Sequence, residues 1–276
     1  MINRKKLLAS PHIIWTILFT IIPVILIFSY SFTYKNGEGV RFTLEHFKRF
    51  LEPLYLDVLW RSILLALVST IICLILGYPL AMILANSRLK SRNLLVLLLI
   101  IPMWMNFLLR TYAWMNILEK SGLLNKALSF IGLPTINIMY TNYAVVLGMV
   151  YNFLPFMILP IYTVLTKIDN RLVEAAQDLG ANKVIVFKKV ILPLSIPGVI
   201  SGITMVFMPA VTTFVISRLL GGGQYTLIGN LIEQQFLTTL DWNFGSAISV
   251  IMLIVILMSM GIMSKYDKDK EGVGLW

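Results

Sequence analysis

Side chains able to do chemistry are scarce in this 276-residue chain, which has 13 carboxylates, two histidines and one cysteine. His12 and His46 lie far apart, with no serine or carboxylate in a catalytic spacing beside either, so neither a zinc pair nor a general base is set up. Cys73 sits inside an apolar run and has no second cysteine to bridge. Neither HExxH nor GxSxG occurs, and nothing resembles the phosphate-cradling GxxxxGK(S/T). The densest polar chemistry is one island, EAAQDLGANKVIVFKKVILP, from Glu174 to Pro193. Glu174 and Asp178 stand one helical turn apart, and Lys183, Lys188 and Lys189 follow. Charges so spaced recognise a surface; they have no nucleophile to activate.

The rest of the chain has to position that island, and it is apolar. Hydrophobic residues make up 58% and charged residues only 13%, with mean hydropathy +0.84. Soluble domains are nearer a quarter charged, so the composition implies a membrane protein. A spanning helix needs about 20 mainly apolar residues. Six runs qualify: His12–Thr33, Ser62–Ser87, Asn93–Leu118 (continuing past Arg110), a fourth from near Thr141 to Thr166, Val190–Ser217 and Trp242–Ser264. The start MINRKK resembles the basic end of a secretory signal. Its apolar run is too long for a signal core and no small-x-small site follows, so a retained anchor is expected.

Orientation follows from the bases. Six spans put both termini on one side, with Arg4, Lys5, Lys6, Arg88, Lys90, Arg92, Lys167, Arg171, Lys183, Lys188, Lys189, Lys265, Lys268 and Lys270. Those fourteen face nine on the other side, so both termini and the island are expected in the cytoplasm. The net charge of +10 thus reports topology and no nucleic-acid partner. The expected fold is an all-α membrane protein: residues 1–57 form an anchor helix and outer loop, and 58–276 a five-helix core with a cytoplasmic helix near 170–180.

Asp169 and Asn170 are good N-caps and Gly180 is a natural C-terminal stop. Between them Leu172, Ala176 and Leu179 share a face at helical spacing. The expected element is a short surface helix joined by a turn to the fifth span. It reads as a docking element for a cytoplasmic partner or, equally, as a solvated loop.

Glu174-Ala175-Ala176, three residues, Gly180, nine residues, Val190, one residue, then Leu192-Pro193 resembles the EAA motif of ABC importer permeases, with Val190 in place of the usual isoleucine. Further segments in order, among them LGYPLA (Leu76–Ala81), LPFMILP (Leu154–Pro160), LIGN (Leu227–Asn230) and DW (Asp241–Trp242), are similar to the first permease subunit of spermidine/putrescine importers. The resemblance implies that Glu174, Ala175, Ala176, Asp178, Leu179 and Gly180 form the coupling helix that an ATPase subunit holds. It also implies a homologous second permease, two ATPase copies carrying ATP and magnesium, and an extracytoplasmic polyamine-binding protein. It implies further that the chain itself binds no cofactor or metal and sits in the bacterial cytoplasmic (inner) membrane. Arg218 stands where that pattern often has an acid before Leu-x-Gly-Gly. This keeps an importer of an inorganic anion or metal chelate as the alternative.

Pro193, Pro197 and Pro209 kink the fifth span, and Gly198 and Gly202 are spaced as GxxxG. They are expected to let a bent helix pack against the partner permease, or to be the glycines and prolines that membrane helices tolerate. A polyamine passes along aromatic faces or acids that replace hydration water. Trp104, Asn106, Tyr112, Trp114, Tyr151 and Phe153 are candidates, against the plainer reading as interface and lipid-facing residues. Glu233 and Asp241 are the acids available at the outer mouth. A secondary transporter or channel would need intramembrane acids, and no span from Val58 onward has one in its middle third. The sequence therefore implies a permease moving solute by alternating access, driven by ATP hydrolysed elsewhere.

Overall fold

A computed structural model of the chain describes residues 11–36, 39–86, 89–223 and 225–267. Arg4, Lys5, Lys6, Arg88, Lys268 and Lys270 of the orientation tally lie outside the described residues, as do the side chains of Lys90 and Lys265. In hydrocarbon every backbone N–H and C=O has to find its partner within the protein, which favours helix. The described residues are helical apart from one hairpin and the connections. Helix α1 (Pro11–Ser31) leads into β1 (Thr33–Asn36) and β2 (Gly39–Phe42), which pair antiparallel with Thr33 opposite Phe42. Then come α2 (Glu45–Phe50), α3 (Pro53–Asn86), α4 (Leu89–Trp104), α5 (Phe107–Leu118), α6 (Leu123–Phe130) and α7 (Asn142–Leu165). The short α8 (Asn170–Asp178) and α9 (Lys183–Val186) precede a π-turn, Phe187–Ile191, that opens into α10 (Leu192–Thr212). The chain finishes with α11 (Val215–Leu220), α12 (Ile228–Leu237) and α13 (Trp242–Asp267).

The chain divides into two compact units. One takes the residues up to Asp57 together with Leu231–Met258. Apart from Ser31 at its end, no residue of α1 is buried, as suits an apolar helix whose neighbour is lipid. The hairpin and α2 are tied to the start of α13. Asn243 Nδ2 donates to the carbonyls of Tyr30 (2.9 Å) and Thr33 (2.6 Å). Arg49 pairs with Asp241 at 2.9 Å and lies 4.1 Å over the ring of Phe244. The other carboxylate oxygen of Asp241 accepts from Phe244 N at 3.1 Å and caps α13. Burial alone would lower the pKa of Arg49; hydrogen bonds with Tyr55 and Asp241 outweigh it and raise it above its ordinary value.

The other unit comprises Val58–Asn230 and the residues from Ser259. Its centre is the pairing of α10 with α7. A Cβ on Gly198 would stand 2.9 Å from the Pro160 carbonyl oxygen and 3.0 Å from Ile161 Cα; one on Gly202 would stand 3.1 Å from the Met157 carbonyl. The small-residue face expected to meet a partner permease is therefore filled by this chain's own α7. Gly148 on α7 meets Leu220 and Ile216 of α11 in the same way. Helix α3 joins through Ser69, whose hydroxyl lies 3.3 Å from Met149 Sδ, and through Gly77 against Met157.

Leu227–Asn230 closes this unit. Leu227 and Ile228 are fully buried, and Gly229 leaves room for the Thr212 carbonyl. Asn230 Oδ1 accepts from Leu227 N at 3.1 Å and meets the Ser217 hydroxyl, while its Nδ2 donates to Phe214 O at 2.8 Å. Ser62 Oγ accepts from Ile228 N at 2.8 Å.

Two π-turns have one cause. Proline lacks an N–H and its ring presses on the carbonyl four residues back. Ile17–Ile21 precedes Pro23 and Phe187–Ile191 precedes Pro193, each widening the helix just before the ring.

Five helices are long and apolar enough to span a membrane among the described residues: Pro11–Ser31, Pro53–Asn86, Asn142–Leu165, Lys183–Thr212 and Trp242–Met263. The third apolar run, expected to be one continuous span, is instead two helices bent by 93°. Asn106 causes the break: its backbone is extended and its side chain accepts from Leu108 N and Leu109 N, starting a new helix. The expected fifth span is also revised. It ends at Thr212, and Ser217 belongs to the separate α11.

Candidate coupling surface and solute path

The Glu174–Pro193 island folds as its residue types dictate. Asp169 Oδ1 accepts from Arg171 N at 3.0 Å and starts α8. At the far end Gly180 takes φ +81°, with Gly180 N bonded to Gln177 O at 2.8 Å and Ala181 N to Ala176 O at 3.0 Å. That pair of bonds is a Schellman cap, and glycine suits its left-handed residue. Asn182 Oδ1 then accepts from Ile185 N at 3.0 Å and starts α9. A helix closed at both ends moves as a unit.

No residue of α8 is buried. Val173 and Ala176 turn towards the protein, Val173 bordering a cavity of about 60 Å³ with Met82, Leu165 and Ile191. Leu172 and Leu179 turn outwards, 49% and 89% exposed, beside Glu174 and Asp178. The expected face of Leu172, Ala176 and Leu179 is thus split, because Ala176 is shared with Val173. What remains outside is an apolar strip of Leu172, Ala175 and Leu179 bordered by an acidic row. At that exposure Leu179 makes almost no packing contact within this chain.

The aromatic candidates do not form one set. Trp114 and Tyr151 come together, centroids 5.1 Å apart and nearly edge-to-face. Both line an open apolar cavity of about 900 Å³ between α3, α5 and α7, with Tyr225 also in its lining. Trp104 is 78% exposed at the end of α4, and Tyr112 lies outside that lining. Phe153, 8% exposed, is core. Asn106 uses its oxygen as the helix cap. Arg61 lies 5.8 Å from the Tyr225 ring, a pairing not anticipated from the sequence. Of the two outer acids, Asp241 is engaged by Arg49 and by the α13 cap. Arg218 is exposed near the end of α11.

The architecture is a helical membrane subunit that presents a rigid, capped helix on its surface. Residues 77–269 match the profile of the family described as binding-protein-dependent transport system inner membrane component, and the chain belongs to that family. It is a transport subunit of the inner membrane and not an enzyme. The spermidine/putrescine transport system permease protein PotB of Escherichia coli K12 is 43% identical over 254 residues, covering 90% of this chain and 91% of that one. The protein of the same name from Haemophilus influenzae Rd is 40% identical, covering 98% and 96%. Among solved structures, a bacterial alginate ABC transporter in complex with a pentasaccharide-bound periplasmic protein superposes with TM-score 0.81. It shares 18% identity and covers 99% of this chain and 97% of its counterpart, so it speaks for the fold alone.

Proposed function

We propose that this chain is a permease subunit of an ATP-driven importer of polyamines, spermidine and putrescine. The observation that carries the reading is the 43% identity to a spermidine/putrescine permease over nine-tenths of the chain. In this reading six spans place both termini in the cytoplasm, residues 1–57 are anchor and outer loop, and 58–276 are the core. The chain pairs with a homologous permease, two ATPase copies and an extracytoplasmic polyamine-binding protein. ATP and magnesium sit on the ATPase.

The surface of α8 supports the coupling role. Glu174, Ala175, Ala176, Asp178, Leu179 and Gly180 build a stiff projection whose outer strip an ATPase can hold. Its displacement passes through α9 and the π-turn into α10. Gly198 and Gly202 hold α10 so close to α7 that the two move together, and Pro193, Pro197 and Pro209 set where α10 bends. Trp114 and Tyr151, edge to face beside the large cavity, are the aromatic pair best placed to meet an ammonium group.

The test is ATP-dependent uptake of labelled spermidine by the reconstituted complex, with putrescine, sulfate and ferric citrate as competitors. Saturable uptake inhibited by putrescine alone is expected. Uptake of sulfate or the citrate chelate in its place overturns the polyamine assignment. Glu174→Arg, made in the same complex, is expected to insert normally while losing ATPase association and uptake. Normal transport by that variant would sink the role given to the acid.

A further inference from the structure

Three irregularities of the helices meet at one place that the coupling surface does not include. Helix α3 carries Pro79 in its interior, α10 carries Pro193 in its first turn, and the π-turn Phe187–Ile191 lies between α9 and α10. Tyr78, the residue before Pro79, touches both of the others. Its hydroxyl lies 2.8 Å from Ser195 Oγ, across 117 residues of sequence. Its ring meets Phe187 of the π-turn edge-to-face, centroids 5.8 Å apart. Ser195 is fully buried and gives its own proton to Leu192 O at 2.9 Å. A serine hydroxyl has one proton, so Tyr78 is the donor to Ser195. The order is Tyr78 O–H to Ser195 Oγ–H to the Leu192 carbonyl, a chain fixing α3 to the first turn of α10.

Its location gives that chain a use. Met82, one helical turn beyond Tyr78, and Val173 of α8 line the same small cavity. The π-turn packs against α8. A push on α8 therefore reaches the π-turn before α10, and the Tyr78 hydroxyl joins α3 to α10 at that point. It adds a direct polar tie from α3 to α10 beside the packing of α3 on α7. Proline-weakened helices need such a tie, since a kinked helix bends at the kink before it transmits.

We propose that Tyr78 is a positioning residue for energy coupling: its hydroxyl latches α3 to α10 at the π-turn, so that α3, α7 and α10 answer a displacement of α8 together. The inference rests on the ATP-driven reading above but not on which solute is carried. Tyr78→Phe keeps the ring on Phe187 and removes only the donor; Ser195→Ala removes the acceptor. Both are made in the full complex, and ATP hydrolysed per solute imported is measured alongside the amount of assembled complex. One neutral hydrogen bond shifts an equilibrium by about fivefold. Each variant is expected to raise the ATP-to-solute ratio by about that factor, with assembly unchanged, and the double variant to match the singles, since both remove one link. A ratio unchanged in either single variant overturns the latch, as does an additive double variant. A parallel loss of hydrolysis and uptake at constant ratio overturns it too, because a merely structural residue behaves that way. If the unmodified complex imports solute without consuming ATP, the function reading fails and not the latch alone.

Discussion

Leu179 offers the sharpest test of the coupling surface. It is 89% exposed, so its side chain contributes almost nothing to the stability of the permease itself. Leu179→Ala removes three carbons at about 0.8 kcal/mol per buried methylene. If an ATPase buries that side chain, the loss is about 2 kcal/mol, or roughly 30-fold in Kd. The assay titrates labelled ATPase onto the permease pair in nanodiscs, with the partner permease unaltered so that only one of two contacts changes. The thermal midpoint of the permease pair, recorded without ATPase, is expected to match the unmodified protein. A Kd within about threefold of the unmodified value, equivalent to ~0.7 kcal/mol, refutes burial of Leu179 in the interface. A lowered midpoint would instead show that the residue packs within its own chain.

Three other outcomes are expected. Gly198→Val forces a side chain against the Pro160 carbonyl and Ile161 Cα; overpacking of this kind costs about 1–3 kcal/mol, read as a lower thermal midpoint in nanodiscs. Asn230→Ala strips partners from Leu227 N, Ser217 and the Phe214 carbonyl; a loss of about 1–3 kcal/mol is expected from unfolding followed by denaturant titration. Trp114→Ala opens the 5.1 Å contact with Tyr151; a raised KM for spermidine uptake at constant ATPase binding is expected, and an unchanged KM removes the pair from the path.

Local features of the chain were legible from residue types. Asp169 and Gly180 bound α8 as their capping preferences require, and Thr141 starts α7 with its side chain on Ala144 N. Facing was less legible. Periodicity finds the stripe through Leu172, Ala176 and Leu179 but cannot say which edge meets the rest of the chain, because Val173 is as apolar as Leu172. In the sequence Asn106 is a polar residue in an apolar run, which suits a path candidate. A capping asparagine and a solute-binding one look alike until the backbone turns. The GxxxG spacing of Gly198 and Gly202 permits a close helix, yet spacing on one helix carries no information about which chain supplies the other. Tyr78 and Ser195 were beyond reach, since nothing local links residues 117 apart.

The π-turn before Pro193 has one more consequence, concerning insertions and deletions. Each residue of an α-helix advances the chain by about 100° around the axis. The π-turn holds one residue more than the α-helical path would need, so losing one residue between Phe187 and Ile191 closes the turn. The wide turn had already absorbed that residue's 100°, so α8 and α9 would keep their place around α10. Glu174 and Leu179 would then point where they do now. The same deletion in the regular turns after Leu192 has nothing to absorb it, and would carry everything upstream about 100° around the axis. A one-residue gap between related permeases is therefore expected within Phe187–Ile191 rather than in the turns that follow.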